Sequence, residues 1–255
     1  MANNPPDRDL APMIQKLRLR YAKRGRLRFS SHRDFQRALE RALRRAGVPM
    51  AYSAGFSPHP KISYSNSAPT GVASEAEYVE IGVTQLCDPH KLRVELDAAM
   101  PPGLDIIEVI EVTSSDFAAR LQASRWEMEI CAPRAEVMGA VGDLLGSDEV
   151  LVERMTKSGM RIFDARSAIL LMESVSHTSV TAPADNQMPP VCVILHVVVR
   201  HVTPSVRPDD VLTALKQVGN LVPLKPVRVT RLAQGPLTEV SMSIGDPFDP
   251  DRVLG

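Results

Sequence analysis

The stretches IQKLRLRY (residues 14–21) and SHRDFQRALERALRRA (residues 31–46) decide how the N-terminal half of this chain folds. In the first, Leu17, Leu19 and Tyr21 alternate with Lys16, Arg18 and Arg20, the period of a strand with one apolar and one basic face. In the second, Phe35, Ala38, Leu39, Ala42, Leu43 and Ala46 recur every three or four residues, as the inward stripe of a helix does. Ser31, with Asp34 three places on, caps its start, and Gly47 followed by Pro49 ends it. Arg33, Arg37, Arg41, Arg44 and Arg45 fall largely on the other side. Strand and helix are thus both predicted to carry arginines on solvent faces.

Working outward, residues 50–74 (MAYSAGFSPHPKISYSNSAPTGVAS) read as a long, shaped loop with at most a short strand at either end. Residues 77–83 alternate as a strand. Residues 88–100 form a short amphipathic helix stopped by Pro101-Pro102-Gly103, and 104–112 a further strand. The order β-α-β-β-α-β is the ferredoxin-like arrangement. The second half repeats the plan loosely. It has strands at 125–131, 150–154 (continuing near 161–164), 191–199 and 227–232, and helices at 133–145 and 209–218. A helical turn at 167–172 and a polar loop at 177–189 complete it. The prediction is an α+β protein of two ferredoxin-like domains in tandem, the second a looser variant. Its parts are a disordered leader 1–13, a basic domain 14–113, a linker 114–124, a second domain 125–245 and a tail 246–255.

Charge is distributed unevenly. Residues 16–45 hold twelve Lys and Arg against only Asp34 and Glu40, although the 255-residue chain has 30 basic and 30 acidic residues and is neutral. The remainder therefore carries 18 basic against 28 acidic, the layout of one surface built for a polyanion on an acidic body. No apolar run approaches the roughly 20 residues of a membrane helix. The opening MANNPPDRDLAP has no hydrophobic stretch and is no secretory signal. Cys87, Cys131 and Cys192 lie far apart, and are predicted to be buried free thiols of a cytoplasmic protein.

Arginine presents a planar fork that pairs with phosphate oxygens, so Arg18, Arg20, Arg26, Arg33, Arg37, Arg41, Arg44 and Arg45 are the candidate nucleic-acid contacts. A solvated helix face and an acidic protein partner are the alternatives. In the following loop, Pro58 and Pro60 stiffen the chain around His59, and Gly55 permits a turn. Tyr52, Phe56 and Tyr64 can stack on bases and Lys61 can meet a phosphate; otherwise these aromatics cover a sheet edge. His32 and His59 are the candidates for metal-independent ribonuclease chemistry. One would take the 2′-hydroxyl proton and the other protonate the leaving oxygen. No metal site is predicted from His32, Asp34 and His59, and His196 and His201 read as structural.

Residues 26–65, RLRFSSHRDFQRALERALRRAGVPMAYSAGFSPHPKISYS, with PTGVASEAEY at 69–78, resemble the radical-SAM-linked family DUF2344. The shared positions include Ser31, His32, Asp34, Arg37, Arg44, Arg45, Gly55, Phe56, Pro58, His59, Pro60, Lys61, Gly71 and Glu77. A looser likeness continues around Val206-Arg207-Pro208-Asp209 and Arg231. Where the family pattern has a Leu-Pro-Leu-Gly-like run, this chain has Ala68-Pro69-Thr70-Gly71. The family's domain stands alone or is fused to a cobalamin-binding radical SAM protein. The resemblance therefore implies a separately encoded radical SAM partner carrying the Fe–S cluster, SAM and cobalamin, and a role in RNA metabolism or modification. It supplies no catalytic residues, and this chain lacks the CxxxCxxC triad that holds a radical SAM cluster. The expectation is a non-catalytic accessory module that binds RNA, tRNA or rRNA, and no cofactor of its own. The alternatives are an endoribonuclease using His32 and His59, by fold-level analogy with CRISPR repeat-processing enzymes, and a domain that docks on the radical SAM partner.

Overall fold

A computed structural model describes residues 11–156, 159–175, 192–238 and 240–252. The chain divides into two compact units, residues 1–120 with 247–255, and residues 121–246. In the first, β1 (Gln15–Lys23) leads through a 3-10 turn at Gly25–Phe29 to α1 (His32–Arg45). Then come β2 (Ile62–Ser65), β3 (Ala73–Val83), α2 (Pro89–Ala99), β4 (Ile106–Glu111) and the single turn α3 (Phe117–Arg120). Within the unit the strands lie in the order β4-β1-β3-β2, each antiparallel to its neighbour. Strand parity sends Leu17, Leu19 and Tyr21 into a core with Phe35, Leu39 and Leu43 of α1 and Leu92 and Leu96 of α2. Each such side chain contributes about 1.5–3 kcal/mol by leaving water. Tyr21 stacks on Phe35 with ring centroids 4.0 Å apart.

The opposite parity of β1 does not face water, which corrects the basic solvent face expected there. Arg18 is 1 % exposed. Its Nε donates to Glu80 on the neighbouring strand at 2.9 Å, and its Nη1 pairs with Asp251. Asp251 in turn accepts the backbone N–H groups of Thr113 and Ser114 at 3.0 and 2.9 Å, and Arg120 at 2.6 Å. Phe117, Phe248 and Tyr78 pack together beside it, with the Arg18 guanidinium 4.1 Å from the Phe117 ring centroid. Lys16 pairs with Glu80 at 2.6 Å and Arg20 with Glu108 at 2.9 Å. Residues 114–120, read from sequence as part of the linker, and 247–252, read as tail, thus pack as parts of the first unit.

The second unit contains β5 (Ala123–Cys131), α4 (Arg134–Gly146), the hairpin β6 (Leu151–Thr156) and β7 (Gly159–Asp164), β8 (Ile169–Val175) and β9 (Cys192–Arg200). It continues with α5 (Pro208–Gly219), β10 (Arg228–Gly235) and the short pair β11 (Leu237–Thr238) and β12 (Ser243–Ile244). Its sheet runs β10-β5-β9-β8, again antiparallel. Apart from the inserted β6–β7 hairpin and the closing elements, α3 in one unit and β11–β12 in the other, element and strand order match the first unit, and the protein is α+β. At Gly219 a Cβ would collide with Ala140, so the missing side chain is what lets α5 approach α4.

Two expectations change here. The helical turn expected at 167–172 shrinks to a 3-10 turn at Arg166–Ala168, and the apolar run after it is β8, paired with β9. Cys131 and Cys192 are not free thiols. The register of β5 and β9 sets them opposite one another and they form a disulfide, leaving Cys87 free. Residues 1–10 of the leader, 253–255 of the tail and the loop at 177–189 lie outside the described residues. Among the described residues no helix is long and apolar enough to cross a membrane.

Burial alone would raise the Asp251 carboxyl. The hydrogen bonds from Ser114, Arg120 and the N–H groups of Thr113 and Ser114 win, and hold it at about 2, below its ordinary 3.8. A carboxylate lowered by folding stabilises the native state above its unfolded value, and loses that contribution as pH falls to its folded value. Urea unfolding followed from roughly pH 4 to pH 2 should therefore show about 2 kcal/mol of stability disappearing in the wild type and not in Asp251→Asn. Identical pH profiles would take Asp251 out of this account. Thiol titration of the denatured, unreduced chain should find one reactive cysteine, and three after reduction.

Candidate nucleic-acid interface

α1 starts where the sequence places it. Ser31 caps it, its Oγ accepting the Asp34 N–H at 3.2 Å while the Asp34 carboxylate takes the Ser31 N–H at 3.1 Å, a complete capping box. The Ser31 hydrogen bonds hold the Asp34 carboxyl below its usual range, helped by Arg37 and Arg33. Phe35, Ala38, Leu39, Ala42 and Leu43 are buried, so the helix has one fixed rotation about its axis. That rotation leaves Arg33, Arg37, Arg41, Arg44 and Arg45 exposed. Arg44 and Arg45 donate to backbone carbonyls, of Glu40 at 3.3 Å and Ala99 at 3.2 Å. Arg33, Arg37 and Arg41 have no carboxylate within ion-pair distance among the described residues, and neither does the exposed Arg26 of the preceding turn.

The basic segment is therefore two populations. On β1 and just after it, Lys16, Arg18, Arg20 and Arg24 are matched to Glu80, Asp251, Glu108, Glu75 and Asp105. Of the candidate contacts, Arg18 is buried and committed, and Arg20 is half-buried against Glu108. Arg26 and, on α1, Arg33, Arg37 and Arg41 remain as exposed cations with no carboxylate at ion-pair distance among the described residues.

The loop after α1 is ordered by its own backbone. Tyr52 bridges Pro60, Ser53 N–H donates to the His59 carbonyl at 2.8 Å, and His59 N–H donates to Ser53 Oγ at 3.0 Å. Ala51 and Lys61 are tied to each other and to Gly82 of β3 by three backbone bonds of 2.8–2.9 Å. Tyr52, Phe56, His59 and Lys61 are left exposed. Tyr64 is not: it packs edge-on against His32 and Phe35, and burial with the nearby Glu40 charge pushes its hydroxyl pKa up.

His32 sits at a small cavity beside the start of α1, lined also by Tyr21, Lys23, Ser31, Ser67 and Glu77. Its ring lies 3.1 Å from Gln36 Nε2 and 3.4 Å from Ser67 Oγ. His59 is not among the lining residues, so this cavity does not bring the two histidines together as an acid–base pair. Lys23 lies in the basic run and Glu77 among the family positions, and sequence reasoning missed that both are buried. Strand parity could have found them, because Lys23 follows Leu17, Leu19 and Tyr21 on the inward face and Glu77 precedes Val79 and Ile81. Lys23 donates to the Ala68 and Pro69 carbonyls at 3.3 and 3.1 Å, and Glu77 accepts the Ala68 N–H at 2.9 Å. Together they clamp the turn that carries Ser67. Among the described residues, metal-ligating atoms gather in one trio, Glu129, Cys131 and Cys192, whose two sulfurs are already joined. His32, Asp34 and His59 form no such group.

A family model described as an uncharacterised protein conserved in bacteria, DUF2344, matches residues 16–208, which contain β1, α1, the clamped turn and the ordered loop. The chain belongs to the DUF2344 family. No curated protein matches it. The family span thus includes every unmatched arginine described above, while Asp251, which neutralises Arg18, lies beyond it.

The two arginine populations should separate in stability measurements. Ser31→Ala, which opens the capping box, is expected to cost about 1 kcal/mol in urea unfolding. Arg37→Ala should stay within about 0.5 kcal/mol of wild type, as a surface change that breaks no contact does. A loss at Arg37 as large as that at Ser31 would mean the helix arginines serve the fold.

Proposed function

We propose that this protein is a non-catalytic module that holds RNA on α1 and the loop after it, and presents that RNA to a separate radical SAM protein in the cytoplasm. The observation that carries the reading is the surplus of cations on α1. A fold that pairs Lys16, Arg18, Arg20 and Arg24 with carboxylates leaves Arg33, Arg37 and Arg41 exposed with none at ion-pair distance among the described residues. Like charges held close on a rigid helix repel one another, and a polyanion relieves that repulsion. Arg26, Arg33, Arg37, Arg41 and Arg44 take phosphates in this reading, and Phe56, His59 and Lys61 meet backbone or base. The radical SAM side rests on the likeness of residues 26–78 to a radical-SAM-linked family. In this reading the Fe–S cluster, SAM and cobalamin belong to the partner, which is consistent with the absence of a CxxxCxxC triad from this sequence. We also read each unit as a ferredoxin-like βαββαβ domain, since in each the first strand lies between the third and fourth.

Crosslinking and sequencing of RNA bound in cells, run beside an Arg33→Ala/Arg37→Ala/Arg41→Ala variant, tests the reading. One enriched RNA class that disappears in the variant is the expected result. In vitro, the affinity for an unpaired RNA should fall with salt at a log–log slope of about −3.5, as about five released counterions require. Equal, diffuse RNA in both samples would leave α1 as a docking surface for a protein.

A further inference from the structure

Three of the chain's eleven aromatic residues are left in water: Phe29 at 59 %, Tyr52 at 42 % and Phe56 at 56 % exposure. The other eight are buried or half-buried. All three exposed rings belong to the segments that enter and leave α1. Phe29 ends the 3-10 turn two residues before the cap Ser31, and Tyr52 and Phe56 lie on the ordered loop that follows. In a chain with 4 % aromatics, leaving exposed only rings on the two segments that flank α1 is a pattern that core packing does not require.

The segments bearing these rings are fixed. The Arg28 guanidinium lies 4.7 Å from the Phe29 ring centroid, and the Arg28 carbonyl accepts the Gly71 N–H at 2.8 Å. Gly71 has φ +92°, and a Cβ there would stand 3.9 Å from the Phe29 ring. Tyr52 is tied to Pro60, and the Ser53–His59 bonds close the loop that carries Phe56. Rings on segments already held by the fold cost little ordering entropy when a ligand stacks on them. Between them, Arg33, Arg37 and Arg41 recur every four residues, about 6 Å apart along the helix axis.

We infer that the RNA bound here is an unpaired strand, with bases stacked on Phe29, Tyr52 and Phe56 at the two ends of α1 and phosphates held by the arginines between. This rests on the RNA reading above and narrows it to a substrate class. A duplex could satisfy the arginines, but its bases are already stacked on each other and offer no face to the rings. An unpaired strand offers both, and stacking tolerates any base.

Fluorescence anisotropy with the full chain tests this, using a short labelled polypyrimidine RNA, the same strand annealed to its complement, and vesicles of mixed neutral and anionic lipid as competitor. The single strand should bind about tenfold or more tightly than the duplex at equal salt. Phe29→Ala and Tyr52→Ala/Phe56→Ala should each weaken single-strand binding by about tenfold or more, the usual scale for one stacked base. Both variants should leave duplex binding and the urea midpoint unchanged, whereas Arg33→Ala/Arg37→Ala/Arg41→Ala weakens both RNAs. Equal binding of the two RNAs, with no effect of the ring substitutions, overturns the strand inference and leaves the RNA reading standing. Binding of neither RNA overturns both. Displacement of the single strand by vesicles would assign the rings to a lipid surface and overturn the inference.

Discussion

A guanidinium taken out of water needs nearly all of its donors answered, and Arg18 imposes that requirement on the first unit. Glu80 is supplied by the strand next door, and Asp251 from the far end of the chain. Asp251 is itself buried and draws in two backbone N–H groups and Arg120, so the network also fixes where residues 113–120 run. Phe117 and Phe248 then cover the charge. Breaking such a pair strands a buried charge, which is far more costly than the pair's net contribution to stability. One basic residue in an alternating strand thereby draws returning chain over one face of the sheet, while the apolar parity of the same strand packs the helices on the other.

The same accounting gives the basic segment its meaning. Its charge is continuous in sequence, yet the fold divides it. Cations on β1 are close to carboxylates of β3 and β4 because antiparallel register puts Arg18 opposite Glu80 and Arg20 opposite Glu108. Among the described residues, Arg33, Arg37 and Arg41 of α1 have no carboxylate at ion-pair distance. The helix is held in place by an apolar stripe and a capping box, and Arg33 and Arg37 add only a longer-range pull on the capping carboxylate Asp34. A surface arranged this way can exchange partners without disturbing the fold, as a binding face must.

Local signals were legible in the sequence and distant pairings were not. Ser31, Asp34, Gly47 and Pro49 marked α1 to within a residue because capping is decided inside one turn. The alternation of residues 14–21 gave the correct parity for β1 but the wrong surroundings for Arg18, since nothing local announces a partner 233 residues away. The run Ala168-Ile169-Leu170-Leu171-Met172 has no period, and only pairing with β9 makes it a strand. The disulfide follows from the register between β5 and β9, which spacing along the chain does not reveal. At the candidate site, exposure of the α1 arginines was readable from helical period. The clamp made by Lys23 and Glu77 appears only when the turn at Ala68 is seen to need tying down.

The first unit is assembled from two lengths of chain that a ribosome makes before and after the whole of the second unit. The strands, the helix with its arginines and the ordered loop emerge before the second unit, and Phe248 and Asp251 after it. Until they arrive, Arg18 has Glu80 and water, Phe117 lacks the ring that covers it, and one face of the sheet stays open. The nascent domain therefore waits through the whole translation of the second unit before its own charge network can close. The helix that carries the exposed arginines is thus in place as chain well before the residues that complete the unit beneath it.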